Sequence, residues 1–390
     1  MQRDMQTIFN EDQTMLADML DAFMRERYTA EVRAEAVGSA EGYSAEIWQS
    51  LATELGILGA ALPEEIGGLG GGVIEHLTVM MALGSVAAVE PYFETCVVAA
   101  GLLSRSQSPL AAELAGGIAA GKVRFATGAI PGMAWAANLM SQVQSSDQGR
   151  ALSGSARMVS GIAPATHIMI AARDGDRPDG IVIAVLPVDA SGLSVDRYGL
   201  LDGTCAADLR FDDVQLSDDA VIWSGTADAA DLQMVSDEAM IALCGEAVGI
   251  MRRLIRDTVT YTQQRRQFGQ SLDSFQVLQH RMADMFVALK QCEAITNRAA
   301  VRSSRGDAPD RATVAAAKSL VSARLREVAQ QAVQVHGAIG MTDELIIGHL
   351  FRRATLIEIF GGSPDVFRGR YADEAIEKRR QNQSAEPATL

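Results

Sequence analysis

The spacing of apolar residues divides the chain into three stretches of different periodicity. From Glu11 to about Ala120, apolar residues recur three and four positions apart, most clearly over 15–28 and 47–60. This spacing is typical of amphipathic helices that bury one face. Another apolar helix is predicted over 73–86. The first stretch is therefore predicted to be helical.

The middle stretch has a different pattern, with short segments rich in β-branched and apolar residues. Gly, Asp, Pro or Ser separates one segment from the next, which is the punctuation expected of strands and turns. Several such segments in succession predict a compact antiparallel sheet or barrel. The predicted strands are 123–127, 151–159, 167–172, 181–187, 193–197 and 207–214.

From about Asp228 the chain returns to helical periodicity, and short connections separate long amphipathic stretches. Long helices joined in this way predict an up-and-down four-helix bundle. The predicted helices are 236–263, 273–304, 309–336 and 342–359. The fold class is therefore α+β, with an N-terminal helical domain over 1–120, a central antiparallel β-domain over 121–226 and a C-terminal four-helix bundle over 227–390.

Composition excludes several classes of function. The 390 residues are 48% apolar and 21% charged, as in a globular protein of two or three domains. The 34 basic and 49 acidic side chains give a net charge of −15, which argues against nucleic-acid binding through phosphate neutralisation. No run of 18 apolar residues predicts a membrane span. The polar N-terminus lacks a signal core, so a cytoplasmic location is expected.

Metal and common nucleotide motifs are not found in the sequence. The four cysteines lie far apart without the spacing of a zinc site, so no metal is predicted and they are expected to be buried small hydrophobes. No GxGxxG follows a predicted strand and no Walker loop occurs, so neither a Rossmann nor a P-loop site is indicated.

Three motifs occur in a fixed order along the chain. Trp48 is followed by LATELGILGAALPEEIGGLG, residues 265–285 read RRQFGQSLDSFQVLQHRMADM, and residues 334–340 read QVHGAIG. They resemble the N-terminal signature, the RxxFGxxLxxFQxxxxxxADM segment and the QxxGGxG turn of the acyl-CoA dehydrogenase family. The resemblance covers essentially the whole chain. QVLQHRMADMF and HGAIGMTDE look closest to the small-subunit branch of bacterial heteromeric acyl-CoA dehydrogenases.

The resemblance implies an FAD between the β-domain and the bundle, with its ADP half on a neighbouring subunit. Arg265 would offer a planar charged fork to the pyrophosphate, and Phe268 would pack against adenosine. Gln334 and the backbone around Gly337 would donate to the ADP portion, since glycine lets the main chain approach closely. The plainer alternative is that Arg265 pairs with an acidic residue and the glycines only end a helix.

The β-domain resembles the family less closely. Residues 153–161 are similar to the LxGxKxWITN strand beside the isoalloxazine ring, which places Met158 at an aromatic position and Ser160 at a threonine that bonds the flavin near N5. The loop 126–132 stands where the family often reads TEPGxGSD, without the acidic residue and second glycine. A flavin half-site lent to a partner is therefore an alternative to flavin binding by this chain's own β-domain.

The implied reaction is α,β-dehydrogenation of an acyl-CoA thioester, in which a carboxylate removes the α-proton. The family's YEGT segment corresponds to 360–363 here, so the carboxylate position is Gly361. A second family position, on the helix before the RxxFG motif, corresponds to Ala239, and the arginine beside it is replaced by Met240. Both usual positions therefore lack the base.

Other carboxylates lie nearby in sequence. Glu246 is seven residues after Ala239, on the same helix face but about 10 Å along the axis, and a charge in an apolar stretch needs a partner or a function. It is the first candidate for the base. Glu238, Asp365 and Glu358 are further candidates, and the chain is also consistent with having no base of its own.

The sequence leaves more than one function open. The first is an FAD-dependent acyl-CoA dehydrogenase subunit in a homo- or hetero-oligomer, a dimer or tetramer, that passes electrons to an electron-transfer flavoprotein or a similar acceptor. Its substrate would be an acyl-CoA of fatty acid or steroid catabolism. The alternative is a catalytically degenerate partner subunit or an acyl-CoA-binding scaffold in a heteromeric complex. A related flavin enzyme with another reaction is a further variant.

Overall fold

A computed structural model describes residues 9–128, 139–146, 149–304 and 310–385. Helices come first in the chain, a sheet follows, and long helices complete it. This order confirms the α+β fold class that the periodicity predicted.

The N-terminal helices begin at residues that suit a helix start. The side chains of Asn10, Thr29 and Ser44 each accept a hydrogen bond from a backbone amide three residues on, which satisfies a donor that the first turn leaves free. The elements are α1 (Glu11–Arg27), α2 (Ala30–Gly38), α3 (Ala45–Thr53), 3₁₀ turns at Ile57–Gly59 and Glu64–Ile66, α4 (Val73–Ser85), a π-helix (Phe93–Ala99) that continues into α5 (Ala100–Leu103), and α6 (Pro109–Ala119).

Among the described residues of the central region, eight strands form a sheet in the order β6-β7-β3-β1-β4-β5-β8, with β2 beside β3 and β4. They are β1 (Phe125–Gly128), β2 (Ser141–Ser146), β3 (Gly149–Ser160), β4 (His167–Asp174), β5 (Ile181–Pro187), β6 (Leu193–Gly199), β7 (Cys205–Leu216) and β8 (Val221–Gly225). Neither β2 nor β8 was among the predicted strands, because β2 is mostly polar and β8 is short.

The predicted antiparallel sheet needs one correction, because β4 runs parallel to β1 and to β2. Strand β1 lies between β3 and β4, and these two neighbours run in opposite directions. A strand inserted between two opposed strands must be antiparallel to one and parallel to the other. The remaining pairs of this sheet are antiparallel.

The last region contains the long helices and a small hairpin. Its elements are α7 (Ala230–Gln264), β9 (Arg266–Gln267), β10 (Gln270–Ser271), a 3₁₀ turn at Leu272–Ser274, α8 (Gln276–Ser303), α9 (Arg311–His336), a 3₁₀ turn at Gly337–Met341, α10 (Ile346–Ile359) and α11 (Pro364–Ala385). Helix α11 packs along α9 and was not part of the four-helix prediction. Its charged sequence has little apolar periodicity, so the pattern did not indicate it.

Glycines allow α4 and α7 to pack backbone against backbone. A Cβ atom on Gly84 would lie 2.3 Å from the carbonyl oxygen of Glu246, and one on Gly249 would lie 2.0 Å from that of Met81. Only a residue without a side chain permits this approach. The contact fixes the position of Glu246 relative to the N-terminal helices.

Two apolar clusters make up the core. The larger one joins the N-terminal helices, one face of the sheet and the C-terminal helices, and the smaller one fills the other face of the sheet. The sheet therefore meets the helices along a continuous boundary, where the cleft described below opens. Among the described residues, no helix is long and apolar enough to cross a membrane.

Candidate functional site

A cleft lies between the sheet and the helices, with an empty volume of about 700 Å³ that includes some open solvent. Four polar groups of its lining come from four separate elements. Glu94 lies on the π-helix, Ser160 ends strand β3, Glu246 lies on α7, and Arg353 lies on α10. The sequence brings these polar groups together only through the tertiary fold.

Arg353 is clamped between two carboxylates at the base of this cleft. Its Nε and Nη2 donate to the two oxygens of Glu246 at 2.5 and 2.9 Å, and its Nη1 donates to Asp202 Oδ2 at 2.9 Å. Burial lowers the pKa of Arg353, but Glu246 and Asp202 more than offset it, so the pKa is raised above its ordinary value. Burial raises the pKa of Asp202, yet Arg353 and Thr204 bring it below its ordinary value.

The structure therefore places Glu246, the first candidate for the base, in the cleft but in an ion pair. Both of its oxygens accept from Arg353. Glu246 stays a prediction, and proton abstraction by this side chain would require the bidentate pair to open.

The other candidate carboxylates lie away from the lining of the cleft. Glu238 accepts from Arg105 at 2.9 Å, and Glu358 accepts from Arg326 at 3.0 Å. Asp365 is 83% exposed in its side chain and pairs with Arg368 on the same helix. The fold does not bring these three carboxylates to the site.

Glu94 is a cleft carboxylate that the sequence analysis missed. It is the second residue of the π-helix, and the Ser160 hydroxyl lies close enough to its carboxylate to lower its pKa. A Cβ atom on Gly161, where φ is +73°, would lie 3.0 Å from Glu94 Cγ, so glycine is needed beside it. Burial raises the pKa of Glu94, and Arg353 and Ser160 offset only part of this. The available signal was a glutamate within an apolar stretch.

The two positions without a glutamate are neighbours in space. A Cβ atom built on Gly361 would lie 2.7 Å from the Sδ and Cε atoms of Met240, and Gly361 has a φ of +78°. Ala239, next to Met240, is fully buried. The thioether of Met240 thus fills the space in which a side chain at position 361 would begin.

Met158 and Ser160, two residues apart on β3, differ in exposure. Met158 is 45% exposed, has a φ of +56° and lies at a bulge, where its amide donates to Asp208 Oδ1 at 3.1 Å. Ser160 is buried and faces the cleft. Residues 129–132 of the predicted flavin loop lie outside the described residues.

The predicted ADP-binding residues are exposed near adjoining helix ends. Arg265 directly follows α7 as its C-cap, and the hairpin after it carries Phe268, which is 90% exposed at a φ of +53°. Tyr261 stacks on His336 with ring centroids 4.4 Å apart, which joins the end of α7 to the end of α9. Gln334 and Gly337, at that end of α9, are also exposed. Exposed donors and an exposed ring fit the ADP half of FAD.

Comparison with known proteins agrees with the resemblance to the acyl-CoA dehydrogenase family. Two family models, described as the N-terminal and the C-terminal domain of acyl-CoA dehydrogenase, match residues 10–111 and 236–376. The chain belongs to the acyl-CoA dehydrogenase family. It is therefore an acyl-CoA dehydrogenase-type flavoprotein oxidoreductase, and the family's general reaction is the dehydrogenation of acyl-CoA. Membership in the small-subunit branch stays a prediction.

Relatives and solved structures resemble nearly the whole chain. Acyl-CoA dehydrogenase IpdE2 of Mycolicibacterium smegmatis is 26% identical over 348 residues, which cover 88% of this chain and 93% of that protein. The ChsE4-ChsE5 complex from Mycobacterium tuberculosis aligns with 23% identity, a TM-score of 0.82 and coverages of 97% and 99%. Butyryl-CoA dehydrogenase from Megasphaera elsdenii aligns with 21% identity, a TM-score of 0.84 and coverages of 94% and 99%. These structures establish the fold.

Proposed function

We propose that this protein catalyses the FAD-dependent α,β-dehydrogenation of an acyl-CoA thioester, as one subunit of an acyl-CoA dehydrogenase. The observation that carries the proposal is the exposed surface of Arg265, Phe268, Gln334 and Gly337. A phenylalanine that is 90% exposed on a short hairpin gains nothing from burial within its own chain. Stacking on a flat ligand would remove it from water.

Each of these residues has a distinct part in holding FAD. The Arg265 guanidinium would donate to the pyrophosphate in a bidentate manner, and Phe268 would pack against the adenosine. Gln334 and the backbone at Gly337 would donate to the remaining ADP oxygens. At the other end, Ser160 would bond the flavin near N5 while Met158 would lie against the ring. When bound, FAD supplies the acceptor for the substrate's β-hydrogen.

An oligomer follows from this assignment, because the ADP-binding residues lie at the end of the bundle and Ser160 lies in the cleft. We infer that the exposed half-site serves the flavin of a neighbouring subunit, either a second copy or a homologue. The ChsE4-ChsE5 neighbour is, by its name, a complex of two proteins. An electron-transfer flavoprotein or similar acceptor would reoxidise the flavin. The cytoplasmic location and the acyl group, from fatty acid or steroid catabolism, stay predictions.

A second candidate function rests on the missing glutamates. Gly361 and Ala239 offer no carboxylate, and Met240 occupies the space beside Gly361. In this alternative, the chain is a catalytically degenerate partner or an acyl-CoA-binding scaffold whose half-site completes the FAD site of a homologue.

The test of the first proposal is FAD binding by matched variants. Phe268→Ala is expected to weaken FAD binding about 10- to 100-fold, since stacking on an aromatic ring contributes about 1–3 kcal/mol per base. Arg265→Met should weaken it further. The control is Phe286→Ala, which removes another exposed ring, on α8, that is not among the residues assigned to FAD. Titration of the flavin-free wild type and of each variant with FAD, followed by fluorescence quenching, gives the four affinities.

The outcomes separate the two functions. Flavin reduction on adding acyl-CoA to the purified chain supports the dehydrogenase. Reduction that appears only with a co-expressed homologue supports the partner alternative. If neither preparation binds FAD, both proposals are wrong.

A further inference from the structure

We propose that Glu94 is the carboxylate that accepts the α-proton of the substrate, in place of the glutamate that positions 239 and 361 lack. This inference rests on the proposed dehydrogenation. It assigns the proton transfer to the π-helix, a different element from those that carry the two usual positions.

The first argument is the position of Glu94. It lines the same cleft as Ser160 and Phe360. Ser160 is the residue proposed to bond the flavin near N5, and Phe360 directly precedes Gly361. The Phe360 ring packs edge-on against Phe93 at 5.6 Å, which links the residue beside Gly361 to the residue beside Glu94. Glu94 therefore has access to the region in which a thioester would meet the flavin.

The second argument is that the other carboxylates of the cleft are already engaged. Both oxygens of Glu246 accept from Arg353. The two oxygens of Glu90 accept from the backbone amides of Ser44 and Val89, each at 3.2 Å. Glu94 lies instead near its own amide and the Ser160 hydroxyl, which both lower its pKa, and it is in none of the ion pairs of the described residues. A serine hydroxyl can rotate toward another acceptor, so Glu94 can be released without breaking an ion pair.

The surroundings of Glu94 also suit a base. Burial raises its pKa, as does Glu246 on α7, while Arg353 on α10 and the Ser160 hydroxyl lower it. A carboxylate with a raised pKa is a stronger base, and such tuning is common at catalytic positions. The π-helix that carries it, Phe93–Ala99, is a rare element that occurs frequently at functional sites.

The inferred step is proton abstraction by Glu94 coupled to loss of the β-hydrogen. The Cα–H bond of the thioester breaks and its proton passes to a Glu94 oxygen. The electron pair of that bond becomes the second bond between Cα and Cβ. The β-hydrogen would leave with its electron pair, for which bound FAD would supply the acceptor, so the substrate would be oxidised by two electrons and Glu94 would become neutral. A later loss of the proton to solvent restores the carboxylate.

The test compares Glu94→Gln and Glu94→Asp with Glu113→Gln, which alters an exposed glutamate on α6. The probe is octanoyl-CoA or 3-phenylpropanoyl-CoA, whichever reduces the flavin of the wild-type protein in the preparation that binds FAD. Exchange of its α-hydrogen in heavy water is followed by mass spectrometry. Glu94→Gln should slow the exchange by about 10²- to 10⁴-fold, the usual contribution of a general base, and Glu94→Asp should slow it less. Glu113→Gln should leave it unchanged.

A second readout does not depend on catalysis. In the flavin-free protein, infrared difference spectra taken during a pH titration should contain a protonated-carboxyl band that Glu94→Gln removes and Glu113→Gln retains. Each variant should still bind FAD, since the residues assigned to the ADP half are unchanged.

Three results would overturn the inference. Exchange by Glu94→Gln within tenfold of the wild type excludes Glu94 as the base and leaves the dehydrogenase proposal intact. If Glu94→Gln does not fold, an exchange rate in Glu94→Asp equal to that of the wild type also excludes Glu94 as the base. A wild-type protein that binds no FAD in any preparation removes the proposed function, and the inference with it.

Discussion

Arg353 is a largely buried cation, 17% exposed in its side chain, that two carboxylates distant in sequence share. Asp202 follows strand β6 and Glu246 lies on α7, and both side chains are almost completely buried. Two such carboxylates would strongly disfavour folding if they were unpaired. The positive charge of Arg353 therefore allows the two carboxylates to be buried together.

Arg353→Met is expected to destabilise the protein by about 3–5 kcal/mol, because it leaves both carboxylates without their partner. Urea unfolding measures this loss. The matched control is Arg352→Met, whose partner Asp343 is 79% exposed, so the expected loss is below about 1 kcal/mol. Equal losses in the two variants would contradict the structural role given to Arg353.

A glutamate restored at position 361 would meet both an unfavourable backbone conformation and the side chain of Met240. Gly361→Glu should destabilise the protein by at least about 1–2 kcal/mol, the usual cost of a left-handed backbone for a residue with a Cβ. Contact with Met240 adds to this, so the loss should be smaller in the double variant with Met240→Ala. Gly369→Glu, on exposed backbone with no atom near its Cβ, is the control. A stable single variant would show that Met240 moves aside freely.

At the scale of elements, the close packing of α4 on α7 sets the geometry of the cleft. The carbonyl of Glu246 lies where a Cβ atom on Gly84 would be. The same contact that packs α4 on α7 therefore also positions Glu246. Helices approach this closely only where side chains are absent. Any side chain at these glycines would push the two helices apart.

Gly249→Ala should therefore destabilise the protein by about 1–3 kcal/mol or more, the range for overpacked cores. Its Cβ would lie 2.0 Å from the Met81 carbonyl oxygen, which belongs to backbone and cannot rotate away. Gly116→Ala in α6 is the matched control, since its Cβ would come no closer than 3.8 Å to another atom. That control should gain up to about 1 kcal/mol from helix propensity. Thermal unfolding of both variants decides the point.

At the scale of the whole molecule, buried polar groups connect the three regions of the chain. Arg33 on α2 donates to the carbonyls of Ala87 and Asp202, at 2.8 and 2.7 Å, and Arg353 then binds the Asp202 side chain. Titration of buried groups should accordingly be visible in the stability of the entire protein.

His76 is expected to cause a loss of stability in acid. Burial lowers its pKa to about 4 from 6.5, so between these values the unfolded chain binds the extra proton and stability falls as the pH falls. At about 1.4 kcal/mol per unit the full loss is about 3 kcal/mol. His76→Gln should lose less stability than the wild type between pH 6.5 and pH 4 in urea unfolding. Stability profiles of equal slope for the wild type and His76→Gln would contradict the lowered pKa of His76.

Asp237 should act in the opposite direction. Burial raises its pKa to about 7 from 3.8, and its Oδ2 has no hydrogen-bond partner. The folded state therefore holds the proton more tightly, and this contribution to stability is present below pH 3.8 and lost as the pH rises through about 7. Asp237→Asn should be more stable than the wild type at pH 8 and lose that advantage by pH 4. A stability difference between Asp237→Asn and the wild type that stays constant from pH 8 to pH 4 would contradict the raised pKa of Asp237.

The sequence by itself determined the order of helices, sheet and helices, because periodicity of 3.6 and 2 residues is a local property of the chain. It also located the motifs around Arg265 and Gln334, for which ADP binding stays a prediction, and the absence of a glutamate at Gly361. It did not indicate β2 or α11, which have little apolar patterning. Their positions depend on pairing with β3 and packing on α9.

Only the tertiary structure decided which polar groups share a cleft. Glu246 looked unpaired along the helix, but Arg353, more than a hundred residues later, occupies both of its oxygens. Glu94 looked like one charge in an apolar helix until the fold placed it against Ser160. Charged groups interact strongly only within a few ångströms. The number of residues between two groups along the chain does not give their distance in space.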